Sequence, residues 1–190
     1  MIPSGRTMRV GRPLLCVGAA LAAMAGGVAR ADDAPSGATD ASFWSRVTLE
    51  VPLVTRHIPD NDFDDHNWGA IVDVAVTPHW SVVGGDFVNS FYRDTVFAAV
   101  SYTPVSLSVG KLRIAPDVML GLDLNGGYAG DSSVDPLLGA VQIKLTGAHL
   151  ENTRYRLLDR LGLAITLIPP SLKERGSAPV NLALTYRFGD

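Results

Sequence analysis

The chain has 190 residues, 47% of them hydrophobic, with a formal charge of -3 and a single cysteine. It carries no basic stripe, which argues against a nucleic-acid binder. Downstream of the N-terminal region it has no apolar run of about 18 residues, which argues against a helical membrane span, and a lone cysteine cannot build a disulfide framework.

The chain opens as an export signal. Arg6, Arg9 and Arg12 give a positive start, an apolar run follows from Leu14 to Val28, and Ala29-Arg30-Ala31 supplies a small-x-small cleavage pattern. Residues 1–31 are therefore expected to be a signal peptide cut before Asp32. Leu15, preceding Cys16, is too large for a lipoprotein signal. Residues 32–42 (DDAPSGATDAS) read as a flexible leader. Residues 43–190 remain, enough for one domain.

That domain is written with a period of two. Between Arg46 and Thr55, Val47, Leu49, Val51 and Leu53 alternate with Thr48, Glu50 and Pro52. Gly69–Thr77 sets Ala70, Val72, Val74 and Val76 against Ile71, Asp73 and Ala75. Trp80–Ser90 sets Val83 and Phe87 against Gly84 and Asp86, and Asp94–Tyr102 carries Val96, Ala98, Val100 and Tyr102 on one side. Val118–Tyr128, Leu137–Thr146, Leu161–Ile168 and Val180–Phe188 repeat the pattern. The last is the cleanest, with Val180, Leu182, Leu184, Tyr186 and Phe188 opposite Asn181, Ala183, Thr185 and Arg187.

Eight segments of roughly ten residues have the length of strands crossing a bilayer at a tilt. One face is Val, Leu and Ile; the other is expected to hold Glu50, Asp73, Asp86, Asp123, Lys144 and Arg187. The pattern predicts an all-β fold, an eight-stranded antiparallel up-and-down transmembrane β-barrel with paired charges inside. A water-soluble lipocalin-like barrel or sandwich shares the strand count, but would expose the apolar face. The predicted location is the outer membrane of a Gram-negative bacterium, and the predicted state a monomer. Even strand number places both termini on the periplasmic side, so the loops after strands one, three, five and seven face outward.

Residues 57–69, HIPDNDFDDHNWG, form the first outward loop. Asp60, Asp62 and Asp64 have a calcium-loop spacing, but Asp65 replaces the required Gly and Ile71 the required Glu. His57 and His66 lack further zinc ligands. No metal or cofactor is therefore expected. Strand counting brings His57 and Asn89-Ser90 to the same rim. By strict alternation, however, His57 has the parity of the lipid-facing residues, so it must lie beyond the regular strand or be re-aimed by a bulge. Pro52 weakens the ladder nearby.

VPLVTRH, then a polar loop and NWG, then a strand ending NSFYRD resembles the lipid A palmitoyltransferase (PagP-type) family of small outer-membrane barrels. Pro52 and His57 match a proline and the catalytic His of that family, Trp68-Gly69 the opening of its second strand, and Leu167-Ile168-Pro169 a motif near the end of its seventh. Asn89-Ser90 falls on its Asp-Ser pair, with Asn in place of Asp. Phe43 and Trp44 are all that remains of its N-terminal helix. The resemblance implies an acyltransferase moving a fatty acyl chain from a phospholipid donor to lipid A. His57, Asn89 and Ser90 would be its catalytic residues, and Pro52, Pro136 and Pro169 would mark where lipid enters sideways. Asp60, Asp62 and Asp65 are the candidates to replace the missing carboxylate. The same residues also fit a plain hydrogen-bonded pair at a rim, with Asn89-Ser90 forming a turn. A non-enzymatic barrel with a structural or surface-binding role is the alternative.

Overall fold

The computed structural model describes residues 43–58, 67–89, 92–125, 137–147, 159–169 and 178–189. The signal peptide, the leader, most of the acidic loop, Ser90 and Pro136 lie outside the described residues. A single 3-10 turn, Phe43–Arg46, leads into β1 (Val47–Ile58), β2 (Gly69–Ala75), β3 (Trp80–Val88) and β4 (Asp94–Tyr102). There follow β5 (Leu107–Val109), β6 (Leu112–Asp123), β7 (Leu137–Gly147), β8 (Leu161–Leu167) and β9 (Ala178–Arg187).

The strands pair in the order β4-β3-β2-β1-β9-β8-β7-β6, and β4 pairs with β6 to close the cylinder. Every pairing is antiparallel. Eight strands therefore form a closed barrel without a free edge, and β5 is a three-residue arm folded onto the start of β6. The period-two pattern missed this arm, because three residues are too few to show a period. The turn carrying Thr77, Pro78 and His79 joins β2 to β3 with bonds from the Val76 and Thr77 amides to the Trp80 carbonyl. It shares one end of the barrel with the start of β1 and the end of β9, called here the terminal end. The β1–β2, β3–β4, β6–β7 and β8–β9 connections sit at the opposite end, called here the loop end.

The alternation resolves into an oily outside and a polar inside. Leu120 is 59% exposed and Val118, Leu122, Val141, Ile143, Leu163, Ile165 and Leu184 lie open around the same wall. An apolar belt encircling a closed barrel is far larger than a water-facing protein tolerates, and it has the form that meets hydrocarbon. Aromatic rings mark its margins. Trp44, Phe188 and Tyr186 cluster near the termini (centroids 5.9 and 5.0 Å apart) and Trp80 stacks near Tyr102 at 4.7 Å. Trp68 and Tyr92 are exposed at the loop end.

One strand was assigned the wrong way round. Asp73 faces inward and pairs in register with Val83. Val83 and Phe87 therefore point into the barrel, and Asp86, in register with Ala70 and Val96, points outward near the loop end. Charge suggested an interior place for Asp86; the register overrides it, because the outward residues at this height are Ala and Val and leave the carboxylate only partly covered.

Ile165→Arg, on the outward face of β8, should lower the unfolding free energy in lipid vesicles by about 2–4 kcal/mol. Urea titration of refolded protein measures it, and unchanged stability would show that this face meets water.

Candidate functional site

His57 reaches the interior through a defect in β1. The β1–β9 ladder runs in register from Thr48–Arg187 to Pro52–Ala183, slips by one residue, and resumes at Val54–Leu182. The inserted residue, Leu53, is half exposed on the outside. Beyond it the parity of the strand is inverted: Thr55 and His57 are buried (1% and 6% exposed) and Arg56 points out. The bulge sits beside Pro52, which has no amide hydrogen to give to a ladder. The conflict between the position of His57 and strict alternation is thus settled by a bulge.

Asn89, at the end of β3, is completely buried. Its Nδ2 donates to Thr95 Oγ1 at 3.1 Å and its Oδ1 accepts the Arg93 amide at 3.1 Å. Its backbone closes the same turn, accepting the Tyr92 amide at 2.9 Å and donating to the Arg93 carbonyl at 2.8 Å. Tyr92 takes the left-handed conformation (φ 60) that the turn requires. Asn89 therefore fixes the β3–β4 turn that carries Ser90. His57 and Asn89 both face inward at the loop end, on β1 and β3, with β2 between them. Asn67, just before β2, is a third buried polar residue facing the same interior, and the sequence reading passed over it. Its signal was its place two residues before Gly69, on the inward parity of β2.

Below these residues lies a cavity of about 90 Å³. Phe87, Phe97, Val83, Ala99, Met119 and Leu138 supply apolar walls, and Phe87 and Phe97 meet edge to face at 5.7 Å. Two seams flank it. The β1–β2 ladder ends at Glu50–Ile71, although β1 continues along β9 to Ile58. The β7–β8 ladder ends at Val141–Leu167, although β7 continues along β6 to Leu137. Pro52 and Asn67 line the cavity at the first seam, and Gly139, Ala140 and Ile168 at the second; Pro169 follows directly.

The floor and the interior beneath it hold a polar network, set among small residues such as Ala164 and Ala183. Gln142 Nε2 donates to Glu50 Oε2 at 2.9 Å and to Thr166 Oγ1 at 2.8 Å. Lys144 reaches Glu50 at 3.8 Å, Asp117 at 2.8 Å and Asp73 by a close hydrogen bond. Thr103 Oγ1 donates to Asp117 Oδ1 at 2.6 Å. One ammonium thus holds three carboxylates together in the half of the barrel nearer the termini. Gly121 and Gly162 do not enlarge the cavity. A Cβ on Gly162 would lie 2.5 Å from the Leu145 carbonyl oxygen and 2.6 Å from Thr185 Oγ1, and one on Gly121 would lie 2.5 Å from Ala99 Cβ. They allow close approach of neighbouring strands. Among the described residues no group of His, Cys, Asp and Glu has the arrangement of a metal site; Asp60, Asp62, Asp64, Asp65 and His66 lie outside them.

The fold and interior define a membrane-type β-barrel whose lumen is filled at one end and hollow at the other. No family model and no curated protein matches the chain. Among solved structures it is similar to a computationally designed transmembrane β-barrel, at 13% identity and a TM-score of 0.42, over 75% of this chain and 95% of that one.

Lys144→Met should destabilise the barrel by about 3–5 kcal/mol, because it strands three carboxylates in a dry interior. Adding Asp73→Asn should restore part of the loss. Unfolding in detergent or vesicles reads both, and a neutral Lys144→Met would show that water, not lysine, solvates these groups.

Proposed function

We propose that the protein is a small barrel of the Gram-negative outer membrane that binds an acyl chain in its loop-end cavity and transfers it from a phospholipid to lipid A. The observation that carries this reading is the bulge at Leu53, which turns His57 from the lipid face into the barrel, two residues beyond Thr55 in the wall of a largely apolar cavity. A residue of this type inverted beside one of the two places where a ladder opens is more than a rim contact requires. The seams beside Pro52 and Pro169 support sideways access for a lipid chain. The PagP-type resemblance of VPLVTRH, NWG and NSFYRD adds to it.

In this reading His57 acts as general base. It takes the proton of the attacking hydroxyl, from Ser90 or directly from lipid A, as that oxygen bonds to the carbonyl carbon of the donor ester. The ester bond to glycerol breaks, and the proton passes to the departing alkoxide. If Ser90 attacks, the acyl group then moves from its oxygen to the lipid A acceptor by the same steps. Asn89 works through the turn it closes with Tyr92 and Arg93, and is a positioning residue. The protein acts as a monomer, since one barrel contains every group invoked.

A second reading, a non-enzymatic barrel with a structural or surface-binding role, is favoured by one observation. The Lys144 network fills so much of the interior that a palmitoyl chain cannot run its length. From Leu138 to Gln142 the cavity spans four residues of strand, about 10 Å of depth along a tilted barrel.

Mass spectrometry of lipid A from cells with and without the protein separates the two. The transfer reading expects an added acyl mass, lost in His57→Ala and in Ser90→Ala while the folded barrel persists in the membrane. No added mass on overexpression supports the second reading. Deleting Leu53 should remove the bulge, return His57 to the lipid face and abolish transfer in a barrel that still folds.

A further inference from the structure

We infer that the chain this cavity accepts has at most about eight carbons, so that the group it handles is a short or medium acyl chain and not a palmitoyl chain. The inference rests on the reading of the cavity as an acyl site and names the substrate class. Three strands show the limit residue by residue. On β7 the inward column runs from Leu138 through Ala140 to Gln142, all lining the cavity, and the next inward residue is Lys144, which does not. On β6 the lining stops at Met119 and the next inward residue is Asp117; on β2 it stops at Ile71 and the next is Asp73. The cavity thus ends at one layer around the barrel, where the charges begin.

That layer does not yield to a methylene. Gln142 is tied to Glu50 and Thr166, and Lys144 to Glu50, Asp73 and Asp117. A chain pushed further would part an ammonium from its carboxylates in a dry interior, which costs far more than burying a methylene returns. The room above the layer is small. Four residues of tilted strand, from Leu138 to Gln142, give about 10 Å of depth. The volume is about 90 Å³, and an apolar cavity of roughly 150 Å³ is filled by a molecule the size of benzene. A longer chain would leave its remaining methylenes at the loop end beside Asn67, Asn89, Thr95 and Asp123, all buried and polar. Nothing there replaces the hydrocarbon such a chain leaves behind.

The test uses the full chain in lipid nanodiscs, isotopically labelled at the methionine methyls. Met119 is the only methionine within the strands and lies in the cavity wall, so its NMR signal, assigned by its loss in Met119→Leu, reports occupancy. The probes are octyl, dodecyl and hexadecyl glycerol ethers, which share one head and differ only in chain, at equal mole fraction in the bilayer. The octyl ether should shift the signal, and the dodecyl and hexadecyl ethers should bind at least about tenfold more weakly. Ala140→Leu, which fills the column midway, should abolish the octyl response in a barrel shown to be folded by its heat-dependent gel mobility. Equal responses to the octyl and hexadecyl ethers would overturn the limit and leave the acyl site standing. No response to any chain would overturn the acyl site, and the limit with it. An octyl response that survives Ala140→Leu would place the chain outside the cavity and overturn the limit; if that variant does not fold, the length series in the unaltered protein decides alone.

Discussion

Pleating gives every residue of a strand one of two places, and closure of the barrel makes the choice absolute: hydrocarbon outside or a narrow interior within. Everything distinctive about this protein follows from how it obeys or breaks that rule. Along most of the wall Leu, Val and Ile take the outside and Thr, Asn, Gly and the ionised residues the inside. At Leu53 the rule is broken by a single inserted residue, and the far end of β1 is exchanged face for face. Pro52 makes the insertion inexpensive, since the ladder at that point already lacked a donor.

The interior is divided by chemistry rather than by shape. Near the termini, Glu50, Asp73, Asp117 and Lys144 satisfy one another with help from Thr103. Toward the loops the inward residues around the cavity change to Val83, Phe87, Phe97 and Met119, with the buried carboxylate of Asp123 beyond them, in register with Phe97. Gln142 stands at the boundary, bonded to the ionic side through its nitrogen and bordering the apolar side. A barrel arranged in this way does not conduct: its lower half is a plug made of its own side chains.

Much of the barrel could be read from the chain because alternation is a direct imprint of the pleat. Segments with strong contrast, such as Val180–Phe188 or Asp94–Tyr102, were placed on the correct faces. β3 was not. Its charge, Asp86, suggested one face and its two large apolar residues the other, and only its register with Asp73 decides. The bulge was legible as a contradiction: His57 had the wrong parity for its chemistry, and a proline lay nearby. The cavity was not legible, because it depends on which inward side chains from eight different strands stop short of one another. Asn67 was hidden for a related reason, since it belongs by parity to a strand that begins two residues later.

The two interrupted ladders have a mechanical consequence. Near the loops the wall is not one continuous cylinder but two plates, a narrow one of β8, β9 and β1 and a broad one of β2, β3, β4, β6 and β7. Within each plate the ladders run on to the loop end, with the bulge at Leu53 as the interruption described above, and toward the termini the plates are joined. At the two gaps no ladder among the described residues joins the plates, and the wall there is held by side-chain packing alone.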